Sequence, residues 1–223
     1  MLGRKEPSTI NIFNAFRERF AAGMMITVGC IINVAMIDKG DRVGGAFFFA
    51  VGLTTIVMYK MVLFTGICGY LADFRPYRHK TLSNLGATWF YNMCGCAVFG
   101  ILMLKGIDSS YLKITNELMI TKMQVPIYSL ISKGIFCGML MHLAVLSAKQ
   151  DFHPVVKLVT IFMCVATFIL CKFEHSIANM GYLFMSDVDI VMGIIRCIIP
   201  VTIGNVIGGC FMQFILRFNE DIK

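Results

Sequence analysis

The residues able to do chemistry stand in surroundings that disfavour charge. In "LCKFEHSIANM", Leu170 to Met180, a lysine, a glutamate and a histidine lie between the apolar stretches "VKLVTIFMCVATFIL" and "GYLFM". A charged side chain at membrane depth costs a few kcal/mol on insertion scales, so Lys172, Glu174 and His175 need a partner or a task there. Histidine can change charge near neutral pH, its unperturbed pKa being about 6.5. A glutamate next to it can bind backbone amides or a lysine. The chemistry to expect is the handling of a small charged solute or a proton inside a membrane.

The elements that must position these residues are membrane helices. Of the 223 residues 57% are hydrophobic and only 15% charged, with a mean hydropathy of +0.75. That composition excludes an ordinary soluble domain. Apolar segments long enough to span a bilayer lie at about 20–37, 44–72, 84–104, 124–148, 154–186 and 190–217. Residues 1–19 are polar with mixed charge, without the short apolar core and cleavage site of a signal peptide, so the first span is expected to remain. The expected organisation is an N-terminal segment 1–19, a six-helix domain 20–217 and a tail 218–223.

The net charge of +7 follows the membrane and does not point to nucleic acid. With the termini inside, that face carries eleven Lys and Arg (4, 5, 17, 19, 75, 78, 80, 149, 157, 217 and 223) against six on the other (39, 42, 105, 113, 122 and 196). The positive-inside rule therefore places both termini of this multi-pass cell-membrane protein in the cytoplasm. The nine cysteines fall almost wholly in apolar segments without a CxxC pair and read as reduced, small hydrophobes. Cys94 and Cys96, two residues apart on a helix, face different ways and make a poor metal pair. No metal or other cofactor is implied.

The second and fifth segments run to around 30 residues where about 20 suffice to cross. Each has polar residues near its middle, "MYKMVLFTGICG" and "LCKFEHSIANMG", and each is most simply a helix broken at membrane depth. Set side by side with Lys60 against Lys172, the two breaks hold matching places in two three-helix halves. Three is odd, so the second half starts from the opposite face and the repeat is inverted. Interrupted helices at matching places of an inverted repeat mark a transport site. Half-helix N-termini meeting there favour an anion.

These motifs resemble the formate/nitrite transporters, a family that includes formate, nitrite and hydrosulfide channels. "FEHSIANM" (Phe173 to Met180) is similar to the family's signature in its fifth helix, "IPVTIGNVIGG" (Ile199 to Gly209) to its sixth, and "LFTG" (Leu63 to Gly66) to its second-helix break. The resemblance implies a homopentamer of aquaporin-like six-helix protomers, each with its own pore for a small monovalent anion. It places the central histidine on His175, the loop threonine on Thr65 and the lysine ahead of the fourth helix on Lys122. The outer constriction falls on Phe49 and Phe168, the inner on Leu63 and Met141. Glu174, Asn179 and Asn205 are read as structural residues near the pore.

Several positions depart from the family pattern. Val62 stands where an acidic residue is usual, and Gly138 where an asparagine is. The third-helix pattern is reduced to Thr88-Trp89 and Gly95-Cys96. Lys60 and Lys172 replace small residues, usually glycine. They are either a cationic pair facing the pore or lysines paired with an acid such as Glu174 or snorkelling to an interface.

An anion must shed its charge to cross an apolar constriction, and a proton does this most simply. The expectation is that Lys122 gathers the anion. His175 then gives it a proton or pairs with it as imidazolium, with Thr65 orienting either partner. Formate is the first expectation, hydrosulfide or nitrite the next. In a helix Glu174 would point about 100 degrees from His175. The rival class is a membrane redox protein with haem between His142 and His175; a structural or sensory membrane protein fits the broken, polar helices less well.

Overall fold

The computed structural model describes residues 9–72, 78–106 and 109–220. Arg4, Lys5, Arg75 and Lys223, and the outer parts of the segments 1–19 and 218–223, lie outside the described residues. Within them the protein is an all-α membrane protein with no strands.

The first helix, α1 (Thr9–Asp38), begins well ahead of the apolar run and takes in the described part of 1–19. Gly40, with φ +80°, turns the chain, and Asp41 caps α2 (Arg42–Met58), its carboxylate accepting from Gly44 N at 2.7 Å. After a break the second span resumes as α3 (Phe64–Ile67) and a 3₁₀ turn (Cys68–Ala72). The third span is α4 (Arg78–Gly106). An additional helix, α5 (Ser109–Gln124), precedes the fourth span, α6 (Ile127–Lys149). The fifth consists of α7 (Pro154–Leu170), a break and α8 (Ser176–Phe184). The sixth runs from α9 (Ile190–Gly193) through a π turn (Ile194–Ile198) into α10 (Ile199–Glu220). Pro200, which has no N–H to give the preceding turn, accounts for that widening.

Among the described residues, four helical stretches are long and apolar enough to cross a membrane: Phe13–Asp38, Leu82–Leu104, Ile127–Lys149 and Ile190–Leu216. The second and fifth spans fall short individually because each is split, as the sequence leads one to expect. Six crossings put both chain ends at one face, called here the terminal face. There Arg19 bonds Asn84 and donates to Thr88 Oγ1 at 2.9 Å, and Lys149 donates to Tyr70 OH at 2.8 Å. On the distal face Thr115 donates to Met185 O at 2.8 Å, docking α5 onto the end of α8.

Both breaks have one construction. Helix α2 ends in a Schellman turn, Met61 N bonding Ile56 O at 2.9 Å and Lys60 N bonding Val57 O at 3.2 Å. Helix α7 repeats it with Phe173 N to Phe168 O at 2.8 Å and Lys172 N to Ile169 O at 3.0 Å. The residue at the centre of such a turn is left-handed, and Lys60 and Lys172 both have φ +54°. That explains why glycine is usual there: a side chain raises the energy of this conformation by roughly 1–2 kcal/mol.

An asparagine then bridges each break. Asn92 of α4 accepts from Phe64 N at 2.9 Å and donates to Val62 O at 3.1 Å and to Arg19 O of α1 at 2.7 Å. Asn205 of α10 accepts from Ser176 N at 2.9 Å and donates to Glu174 O and to Gly134 O of α6, both at 2.8 Å. The neighbouring bond matches as well: Val62 N donates to Glu18 O at 3.4 Å, and Glu174 N to Lys133 O at 3.3 Å. Unwound backbone at this depth must be satisfied by protein, and the fold does it twice with the same set of bonds.

Helices α6 and α10 approach through glycines four residues apart. A Cβ on Gly208 would lie 1.9 Å from Ile135 O, on Gly204 2.3 Å from Ile131 O, and on Gly138 2.2 Å from Asn205 O. This is the small-xxx-small contact of membrane helices. It also accounts for one departure from the family pattern, because an asparagine at 138 would run into the α10 backbone.

Candidate functional site

The two half-helices α3 and α8 bring Thr65 and His175 together. Thr65 Oγ1 lies 2.9 Å from His175 Nε2, and both side chains are buried. His175 also caps α8, its Nδ1 accepting from Ala178 N at 2.9 Å. A backbone amide can only donate, so Nδ1 carries no proton here; the ring holds its proton on Nε2 and donates it to Thr65 Oγ1. Phe168 stacks on the imidazole with centroids 5.6 Å apart, and Phe49 meets Phe168 edge-on at 5.7 Å. The two phenylalanines expected at the outer constriction are thus in contact with each other and with the histidine's surroundings. Leu63 and Met141, expected at the inner constriction, are both buried, at 3% and 1% exposure.

On the distal side of His175 lies a cavity of about 450 Å3, walled by α1, α5, α8 and the α7–α8 break, with Arg42 of α2 and Lys133 of α6 also lining it. Phe168, Glu174, His175 and Asn179 line its depth, and Lys122 enters from α5. Lys122 and Glu174 form an ion pair, and the same carboxylate oxygen, Oε2, accepts from Asn179 Nδ2 at 2.8 Å. The glutamate side chain is 5% exposed and the lysine 18%. Residues 173–175 are not helical, His175 being extended, so the offset of about 100 degrees expected between Glu174 and His175 does not apply, and both line one cavity.

Lys172 lines the cavity and Lys60 does not. Neither makes an ion pair among the described residues; of the readings left open, the pairing of Lys172 with Glu174 is not made, and Lys122 takes that acid. His142 bonds Gln213 Oε1 through Nε2 at 2.7 Å, while both nitrogens of His175 are engaged by Thr65 and Ala178. His153, given no role by the sequence, caps α7 by accepting from Val155 N at 3.3 Å. Cys30, Cys68, Cys94, Cys96, Cys137, Cys164, Cys171 and Cys197 are free thiols. Asn92 is the site residue that sequence reasoning missed. Its signal was an amide in an apolar third span at the place Asn205 holds in the sixth.

The family model for formate/nitrite transporters matches residues 4–218. The chain belongs to the formate/nitrite transporter family. A formate-nitrite transporter of Entamoeba histolytica is 28% identical over 93% of this chain, which spans 64% of that protein's length. The nitrite transporter NirC of Salmonella typhimurium is 28% identical over 84% of the chain and 76% of its own length. The Bacillus subtilis transporter YwcJ is 33% identical over 84% and 70%. Among solved structures, one described as a pentameric formate channel with formate bound superimposes with a TM-score of 0.86 at 20% identity, covering 97% of this chain and all of that one. An FNT family ion channel gives 0.84 at 24% identity over 95% and 92%. These likenesses establish the formate/nitrite transporter fold.

Proposed function

We propose that this member of the formate/nitrite transporter family conducts a small monovalent anion, formate first and hydrosulfide or nitrite next, with its passage linked to a proton at His175. The observation that carries the reading is the Thr65–His175 bond at the foot of a cation-lined cavity and against Phe168. A small anion held there meets one hydroxyl, one imidazole and an apolar wall. As bonded, the neutral ring donates a hydrogen bond from Nε2–H to Thr65 Oγ1, which leaves the threonine hydroxyl free to donate to an anion. To supply a proton to that anion, the ring must first take one up at Nδ1, and this releases Ala178 N. The capped, neutral ring therefore orients the anion, and the uncapped, charged ring lets it leave as the conjugate acid through the apolar constriction at Leu63 and Met141.

In our reading the chain is a homopentamer, supported by its likeness in fold to the solved structure described as a pentameric formate channel. The cation excess at the terminal face supports a cytoplasmic location for both termini in the cell membrane. The distal cavity then faces outward, and the protein acts without enzymatic chemistry.

The test is purified protein in liposomes, with internal pH and swelling followed for formate, nitrite, hydrosulfide, acetate, lactate and glycerol, alongside His175→Asn. Entry of small anions at pH-dependent rates, with glycerol excluded, is the expected result. Passage of glycerol alone, or of nothing, would overturn the assignment.

A further inference from the structure

The distal cavity contains four cations, Arg42, Lys122, Lys133 and Lys172, and two acids, Glu117 and Glu174. They are not equivalent. Lys122 is bound to Glu174, so the pair presents little net charge to an arriving ion. With that pair set aside, three cations face one acid, and Lys172 stands three residues before His175 on a backbone fixed by the Schellman turn. It forms no ion pair with any described residue. It also occupies, at φ +54°, a conformation that disfavours any side chain. A strained residue in a functional region calls for a reason, and the charge it delivers to the cavity supplies one.

We infer that Lys172, seconded by Lys133, is the anion-collecting charge of the distal cavity, a part that Lys122 does not play because Glu174 holds it. The inference rests on the anion-channel reading above. Lys133 is fixed close by, since its carbonyl accepts from Glu174 N at 3.3 Å. Two unpaired ammonium groups at the cavity wall raise the local concentration of small anions by an ordinary electrostatic effect, which salt screens. Lys60, the matching residue of the other half, lies outside this cavity, so the collecting charge belongs to one face only.

Position 172 permits a clean test, because glycine suits a left-handed turn better than lysine does and leaves the break intact. Initial rates of formate, nitrite and hydrosulfide entry into liposomes are measured against external concentration, at low salt and at high salt of an impermeant anion. Lys172→Gly is expected to raise the half-saturating concentration about three- to tenfold at low salt and to flatten the salt dependence, with the maximal rate little changed. Lys172→Arg is expected to behave as wild type, and Lys60→Gly likewise. If wild type conducts and Lys172→Gly matches it at both salt concentrations, the inference falls while the channel reading stands. If Lys172→Arg is as impaired as the glycine variant, the effect is not one of charge, and the inference falls too. If wild type carries no anion, both readings fall together.

Discussion

Asn92 and Asn205 hold the same place in two halves that run oppositely through the fold. Each accepts from the first amide of a resumed half-helix, Phe64 N or Ser176 N, and donates to the carbonyl two residues earlier, Val62 O or Glu174 O. Each donates its second proton to the first helix of its own half, at Arg19 O or Gly134 O. The halves agree in backbone and differ in side chains. Leu63 corresponds to His175 and Val62 to Glu174, so the histidine and the glutamate belong to one of the two breaks only.

Replacing either bridging asparagine by alanine strips a break of three bonds and leaves buried backbone groups unpaired. Asn92→Ala and Asn205→Ala should each lower stability by about 2–4 kcal/mol. Thermal unfolding of the detergent-purified protein checks this. A loss at Asn205 with none at Asn92 would show that the first break is held by other means.

The ion pair predicts a rescue. Lys122→Met leaves the Glu174 carboxylate buried without its cation, a change that typically costs about 3–5 kcal/mol. Adding Glu174→Gln removes the stranded charge and should recover most of that loss. The folded yield of the single and double variants on size-exclusion chromatography decides it. No recovery would mean that Lys122 stabilises the fold through its aliphatic stem alone.

Proton linkage is expected to depend on His175 and Thr65 together. In wild type the entry rate should rise as pH falls, since a lower pH favours both the imidazolium and the conjugate acid of the substrate. His175→Asn should leave only the slope set by the substrate's own ionisation. Thr65→Val, which removes the acceptor of the Nε2 proton, should slow flux by about 10²-fold. Unaltered pH profiles in both variants would take this pair out of the proton path.

The two left-handed lysines predict stabilised variants. Lys60→Gly and Lys172→Gly each relieve the side-chain penalty at φ +54° while adding chain entropy to the unfolded state, for a net gain of up to about 1 kcal/mol. The melting temperature should rise by about 2–4 °C per site. A fall at either site would mean that its ammonium group makes a stabilising contact in the assembled protein.

The α6–α10 contact has no spare room. Gly208→Ala puts a methyl group 1.9 Å from Ile135 O, and Gly138→Ala puts one 2.2 Å from Asn205 O. Both atoms belong to helix backbone, so the helices must separate. Each variant should lose about 1–3 kcal/mol, read as a drop in monodisperse protein after purification. Gly86→Ala, with nothing within 4 Å of the added carbon, serves as the silent control.

Much of this was legible in the sequence because lipid constrains both length and polarity. Two segments too long for one crossing, each with polar residues at mid-depth, disclosed the breaks, and Lys60 set against Lys172 gave the register in which the hydrogen bonds of the two halves match. Helix α5 was not legible: its charged residues, among them Lys113, Glu117 and Lys122, give it the composition of a loop, and its docking onto the end of α8 through Thr115 is a tertiary contact. Asn92 escaped notice because a single amide in an apolar helix resembles a packing residue until its partners are known. The direction of Glu174 was misjudged by treating residues 173–175 as helix, whereas the asparagine and the Schellman turn hold them out of helix. The glycine spacing of α6 and α10 was visible, but which helices it joins is a tertiary fact.

The Schellman turns leave the side chain of the left-handed residue with no part in closing the break, since every bond that closes it comes from backbone or from a bridging asparagine. A single codon at position 172 can therefore set the charge at the mouth to positive, neutral or negative without rebuilding the wall behind it. For evolution this is a point where related transporters can diverge in substrate preference in one step. For the engineer it is a place to attach a reporter beside the histidine.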